Sequence, residues 1–151
     1  MSELIGDKNN FAIELDVESL TPHPFGSLRI WLGGRPVGAF YDSHMLKASL
    51  YQIQNVLNRP LTNIDCVTLN PESLFRKIKE LGLGEYFLNI GESFDDFSII
   101  VCEYNCNYYF IWKLHNKPFF EYINYPLGVQ SHIVSREVIK YVIEETERSL
   151  N

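Results

Sequence analysis

The sequence predicts an α+β fold: an antiparallel sheet of about five to seven strands in two meanders, with helices packed mainly on one face. Three observations carry this. Apolar and acidic residues alternate from Phe11 to Glu18, the period of a half-buried strand. Two hairpin patterns, Ser27 to Tyr41 and Phe97 to Leu114, are separated by two stretches with leucine and isoleucine at helical spacing. A chain of 151 residues, 46% hydrophobic and 14% aromatic, has the length and composition of one folded domain with a sheet-rich core, so residues 1–151 are read as a single domain.

The first strand follows a turn, Gly6-Asp7-Lys8-Asn9-Asn10, in which glycine and asparagine tolerate positive φ and aspartate closes a local hydrogen bond. Phe11, Ile13, Leu15 and Val17 then face the core, with Glu14, Asp16 and Glu18 as an acidic outer row. Thr21-Pro22-His23-Pro24 is a loop, because neither proline can donate to a ladder. In the next hairpin Gly33-Gly34 supplies the two positive φ values of a tight turn. That register sets Ile30 against Val37 and Leu28 against Ala39, with Trp31 opposite Pro36 and covering Gly38.

Ser43 is the expected cap of a helix carrying Leu46, Leu50, Ile53 and Leu57 and ending before Pro60. Asn70-Pro71-Glu72 opens a second helix, with Leu74, Phe75, Ile78 and Leu81 as its stripe and Gly82 or Gly84 as its stop. Between them lies a loop with a short strand at Cys66 to Leu69, and Tyr86 to Ile90 reads as another short strand. The central hairpin runs Phe97 to Tyr104, then a three-residue turn Asn105-Cys106-Asn107, then Tyr108 to Leu114. This register makes one side wholly apolar (Tyr104 with Tyr108, Cys102 with Phe110, Ile100 with Trp112) and keeps Glu103 and Lys113 on the other. Phe119 to Asn124 is expected as a further strand. Ser135 caps a last helix burying Val138, Ile139, Val142, Ile143 and Leu150.

A net charge of -6 and few clustered lysines or arginines weigh against nucleic-acid binding. Three cysteines make no disulfide framework and are expected to be reduced thiols. The first eight residues carry charges where a signal peptide needs an apolar run, and no segment is long enough to span a bilayer. The expectation is therefore a cytoplasmic protein with no membrane partner. The histidines are scattered, and there is no Gly-x-Ser-x-Gly elbow or phosphate loop. Cys102, Cys106 and His115 fit a zinc set poorly, so no metal and no cofactor are expected.

What remains is an acidic cluster, Glu92, Asp95, Asp96, Glu103 and Glu121, bordered by Tyr104, Tyr108 and Tyr122. It reads either as solvated loop or as a patch for a basic protein, in which tyrosines supply rigid area and carboxylates steer encounter.

Two segments carry a family resemblance. Ile5-Gly6-Asp7-Lys8-Asn9-Asn10-Phe11-Ala12-Ile13-Glu14 and Ile30-Trp31-Leu32-Gly33-Gly34-Arg35-Pro36-Val37-Gly38 together resemble the bacterial polymorphic-toxin immunity family numbered 42, with Ile111-Trp112-Lys113 a weaker echo. Members tend to have an acidic or amide residue after the later glycine, where this chain has Ala39-Phe40. The resemblance implies a non-enzymatic protein that binds and neutralises a cognate toxin domain by stoichiometric occlusion. Its motif residues, Gly6, Asp7, Phe11, Trp31, Gly33, Gly34 and Gly38, read physically as turns and core, leaving the toxin contact to the acidic and tyrosine set. The competing reading is a small-molecule-binding or enzymatic α+β domain with a pocket between helices and sheet.

Overall fold

A computed structural model describes residues 2–58 and 70–151. The sequence-predicted loop after Asn58 and the short strand at Cys66 to Leu69 lie outside the described residues, apart from Asn58 itself. The two meanders form two antiparallel sheets. The first has the order β1 (Ser2–Gly6), β2 (Phe11–Ser19), β3 (Phe25–Leu32), β4 (Arg35–Val37), with β5 (His44–Met45) pairing beside β4 on the same edge of β3. The second has the order β6 (Phe97–Tyr104), β7 (Asn107–Leu114), β8 (Gln130–Ser135). Among the described residues the helices are α1 (Leu46–Gln54), α2 (Pro71–Glu80) and α3 (Arg136–Ser149).

In the first sheet Phe11 pairs with Leu32, Ile13 with Ile30 and Leu15 with Leu28, all buried. The core that they enter also holds Leu46, Leu50 and Ile53 of α1, Ile139, Val142 and Ile143 of α3, and one face of the second sheet. Phe11 stacks on Phe110 with ring centroids 6.2 Å apart, so the two sheets touch directly. The opposite face of the second sheet, Ile100, Cys102 and Ile111, is sealed by Leu74, Phe75 and Ile78 of α2. Two helices thus share one core with both sheets, and the third covers the far side.

Local signals act as their chemistry requires. Asn70 accepts a hydrogen bond from Ser73 N at 2.8 Å with Pro71 in the first turn, and Ser135 accepts from Val138 N at 3.4 Å. Gly33 and Gly34 take φ of 57° and 86°. A Cβ on Gly33 would stand 2.8 Å from the ring of His132 in β8, so this glycine also lets the hairpin pack on the other sheet. Ile30 pairs with Val37 and Trp31 with Pro36 as expected, but β4 ends there. Ala39 leaves the ladder and its N–H donates to Ser93 O at 2.7 Å.

The structure corrects several expectations. The central turn has two residues: Tyr104 pairs with Asn107, Glu103 with Tyr108, Ile100 with Ile111 and Ile99 with Trp112. Asn105 and Cys106 both take positive φ, 49° and 61°, the backbone of a type I′ turn. Glu103 and Lys113 sit near the ends of the ladder and reach half-exposed positions there, so neither forces the longer turn.

The third strand of this sheet is Gln130–Ser135, whereas Phe119 to Asn124 is irregular. Tyr86 to Ile90 contributes only a single bridge, Phe87 with Ile100. The N-terminal strand β1 joins an edge, and it makes β2 an interior strand whose Glu14 is buried instead of solvated. Met45, not Ser43, occupies the cap position of α1, and the Ser43 hydroxyl donates to Glu18. Leu81 lies beyond α2 and is exposed.

Trp31 does not cover Gly38. The ring of Phe94 fills that space, 2.7 Å from where a Cβ on Gly38 would be. Trp31 is half-exposed on the outer face of the first sheet, where its Nε1–H donates to Glu14 Oε1 at 2.9 Å. Arg29 Nε donates to the same oxygen at 2.7 Å, and Lys8 Nζ lies 4.4 Å from the Trp31 ring centroid. Burial pushes the Glu14 carboxyl up, but the Arg29 and Trp31 hydrogen bonds outweigh it and hold the group below its usual range.

Candidate functional site

The segment that follows β7 is irregular because one carboxylate claims its backbone. Asp96, just before β6, accepts hydrogen bonds from Phe119 N at 2.7 Å, Phe120 N at 2.9 Å and the Tyr122 hydroxyl at 3.0 Å. Its own carbonyl accepts from His115 N at 2.8 Å. Burial alone would raise the Asp96 pKa, yet these donors hold it below the ordinary carboxylate range. The Tyr122 phenol moves up, first through burial and then through its bond to Asp96, and stays a donor.

A second tie comes from Trp112, whose Nε1–H donates to the Tyr125 hydroxyl at 2.8 Å. Phe97 packs edge-on to Tyr122 and Tyr125, centroids 5.2 and 5.4 Å away. With its inner side fastened, the segment turns other large side chains outward: Phe119 is 87% and Ile123 80% exposed, beside Tyr41 at 72%. Such apolar exposure on a pinned segment makes it the candidate site. A hollow of about 470 Å³ lies at its edge, lined by Asp42, Glu92, Asp95, Asp96, Phe119 and Phe120. A second, of about 190 Å³, runs past Arg29, Phe40, Tyr41, Glu121, Ile123 and Tyr125.

The acidic and tyrosine residues singled out from the sequence fall into two groups. Glu92, Asp95 and Glu121 are exposed around this face, while Asp96 and Tyr122 lie beneath it as its fastenings. Glu103, Tyr104 and Tyr108 belong to the other end of the hairpin, about 23 Å away along seven strand steps. There Tyr104 is exposed and Tyr108 is fully buried. The Tyr108 hydroxyl donates to Leu57 O at 3.2 Å and accepts from Arg136 Nη1 at 2.7 Å. Tyr108 therefore joins β7 to α3 and the turn after α1.

Sequence reasoning did not single out Tyr41, Asp42, Phe119 and Ile123, which the structure places on this face. The available signal was Pro118 and Pro126 bracketing Phe119 to Asn124, since prolines at both ends argue against a laddered strand.

A cleft of about 460 Å³ beside α1 is lined by Asp42, Ser43, His44, Ser49, Gln52, Asn89, Glu92 and Ser93, among others. The His44 ring nitrogens are sealed from solvent. Burial lowers the His44 pKa against the raising pull of Asp42, and with both ring nitrogens sealed the imidazole presents no accessible base to the cleft. Among the described residues no group of three or more His, Cys, Asp or Glu side chains is placed to hold a metal, and no helix is long and apolar enough to cross a membrane.

The two antiparallel sheets and the helices packed on them make an α+β fold. The same architecture occurs in the crystal structure of CdiI from Burkholderia dolosa AUO158, with a TM-score of 0.68 and 18% identity, covering 97% of this chain and 99% of that one. At that identity the likeness establishes the fold. No curated protein matches the sequence. The model of the immunity protein 42 family matches residues 1–149, and the chain belongs to that family. It is a toxin-neutralising immunity protein, and family membership points to a role without catalysis.

Proposed function

We propose that the protein neutralises its cognate toxin in the cytoplasm by stoichiometric binding and occlusion, and that the face fastened by Asp96 makes the contact. The observation that carries this reading is the combination at 115–125: backbone held by a buried carboxylate, with Phe119 and Ile123 left in solvent. Displaying large apolar groups is costly for a free protein, and pre-ordering them lowers the entropy lost on association. Glu92, Asp95 and Glu121 form the polar rim of this contact, with Asp96 and Tyr122 as its support. Glu103, Tyr104 and Tyr108, at the far end of β6 and β7, lie outside it. The cleft beside α1 shares Asp42 and Glu92 with the hollow at Phe119, so it continues the same face and needs no separate ligand.

The test is to mix purified protein with its cognate toxin domain, and to follow complex mass and toxin activity across a titration. Inhibition should be complete at a 1:1 ratio, with a complex of the summed mass. Inhibition at far below one equivalent would indicate catalytic destruction of the toxin and overturn occlusion.

A further inference from the structure

Resting on that reading, we propose that the hollow between the carboxylates and Phe119 receives a lysine or arginine side chain from a basic surface of the toxin, and that Phe119 and Ile123 are the apolar anchors beside it. The two walls differ in chemistry. On one side stand Phe119 and Phe120, with ring centroids 5.0 Å apart in an edge-to-face pair. Asp42, Glu92 and Asp95 are among its lining residues, and none of the described lining residues is basic. Asp96 also reaches the hollow, but its oxygens are already occupied by Phe119 N, Phe120 N and Tyr122.

A side chain matching both walls needs an apolar stem and a cationic end. Lysine and arginine have that form: the methylenes cover a ring and the charged head remains near carboxylates and water. The ring faces add a cation-π attraction. At about 470 Å³ the space exceeds one such side chain, which leaves room for bridging water. A small free cation would leave Phe119, Ile123 and Tyr41 in solvent, whereas a protein surface covers all three. Charge supplies the partner's sign: the chain carries -6 overall and places Glu92, Asp95 and Glu121 around this apolar centre.

Anchor and rim are separable in kinetics. Phe119 is 87% exposed, so Phe119→Ala is expected to fold with an unchanged melting temperature. Against the cognate toxin domain, this variant should dissociate at least tenfold faster at both low and high salt. The pair Glu92→Gln and Asp95→Asn should slow association about three- to tenfold at low salt, with the difference vanishing near 1 M salt. Unchanged rates for all three substitutions combined, with the wild-type complex intact, would overturn this assignment while leaving toxin occlusion standing. Failure of the wild-type pair to form any complex would instead overturn the occlusion reading itself. A dimer of the free protein abolished by Phe119→Ala would identify the occupant as a second copy, and would also overturn the proposal.

Discussion

The two sheets bury similar apolar rows but treat their second faces in opposite ways. In the first, Phe11, Ile13 and Leu15 face the core, and the reverse side carries a buried Glu14 paired with half-exposed Arg29 and Trp31. In the second, Phe97, Ile99 and Val101 face the same core while Ile100 and Cys102 enter a separate cluster under α2. Each sheet owns one tryptophan, and each indole N–H is hydrogen-bonded: Trp31 to a carboxylate on a wet face, Trp112 to a phenol inside the protein. A polar outer face lets a sheet be edited at modest cost. Where both faces are sealed, as from Ile99 to Cys102, every position is structural.

The sharpest way to probe this difference is Trp112→Ala. Trp112 is among the largest fully buried side chains, so its removal leaves a cavity costing about 3–5 kcal/mol. It also frees the Tyr125 hydroxyl, whose pKa burial now pushes up to about 12 against the lowering effect of the Trp112 bond. Urea denaturation should show the stability loss. Toxin affinity, measured well below the melting point, should fall as well, because one of the two fastenings of 115–125 is gone. A stability loss under 1 kcal/mol would mean that the core face of the second sheet is not packed around Trp112 as described.

This contrast also explains what was legible in the sequence. Where one face is wet, polarity marks the register: the Gly33-Gly34 turn and its pairs Ile30 with Val37 and Trp31 with Pro36 could be read directly. The caps at Asn70 and Ser135 were equally local. Where both faces are dry, polarity has nothing to choose between, and Glu103 and Lys113 misled because they sit near ladder ends. Strands β1 and β8 are short and carry few inward apolar residues, with Ile5 and Val134 as their core contributions. The Asp96 fastening was least visible, since two of its partners are backbone N–H groups 23 and 24 residues away, and any sequence offers backbone N–H groups.

Trp31→Ala tests the other side of the comparison. A half-exposed indole leaves a groove open to water, so the loss is mainly its contacts and its hydrogen bond to Glu14, about 1–2 kcal/mol at neutral pH. The pH dependence has a definite sign. The folded-state pKa of Glu14 is depressed, so its favourable contribution is fully present above the unfolded value near 4.5 and is lost as pH falls through the folded one. Removing a donor that helps to depress it shrinks that contribution. The gap between wild type and variant should therefore narrow as the pH is lowered from 6 to below 4, as followed by urea denaturation at each pH. A constant gap across that range would leave packing alone as the role of Trp31.

The smallest expected effect concerns the turn that joins the two sealed strands. Asn105 tolerates its φ of 49° better than most residues, but Cys106 at 61° carries a Cβ where the left-handed region disfavours one. Its side chain is exposed, and what the fold takes from it is the backbone carbonyl that accepts from Arg136 N at 2.9 Å. Cys106→Gly keeps that carbonyl and gives Asn-Gly, the pair best suited to a type I′ turn. Relief of the left-handed strain exceeds the added flexibility of glycine in the unfolded chain, for a net gain of about 0.5–1 kcal/mol, or roughly 1–4 °C in melting temperature. A gain of this size requires both central residues to hold positive φ, as they do in the two-residue register. In a three-residue turn centred on Cys106 the same change would relax no such pair, and added chain flexibility would leave the variant no more stable than the parent. A lowered melting temperature would thus reopen the pairing of Val101 with Phe110 and of Ile99 with Trp112, and with it the assignment of which rows of this sheet face α2.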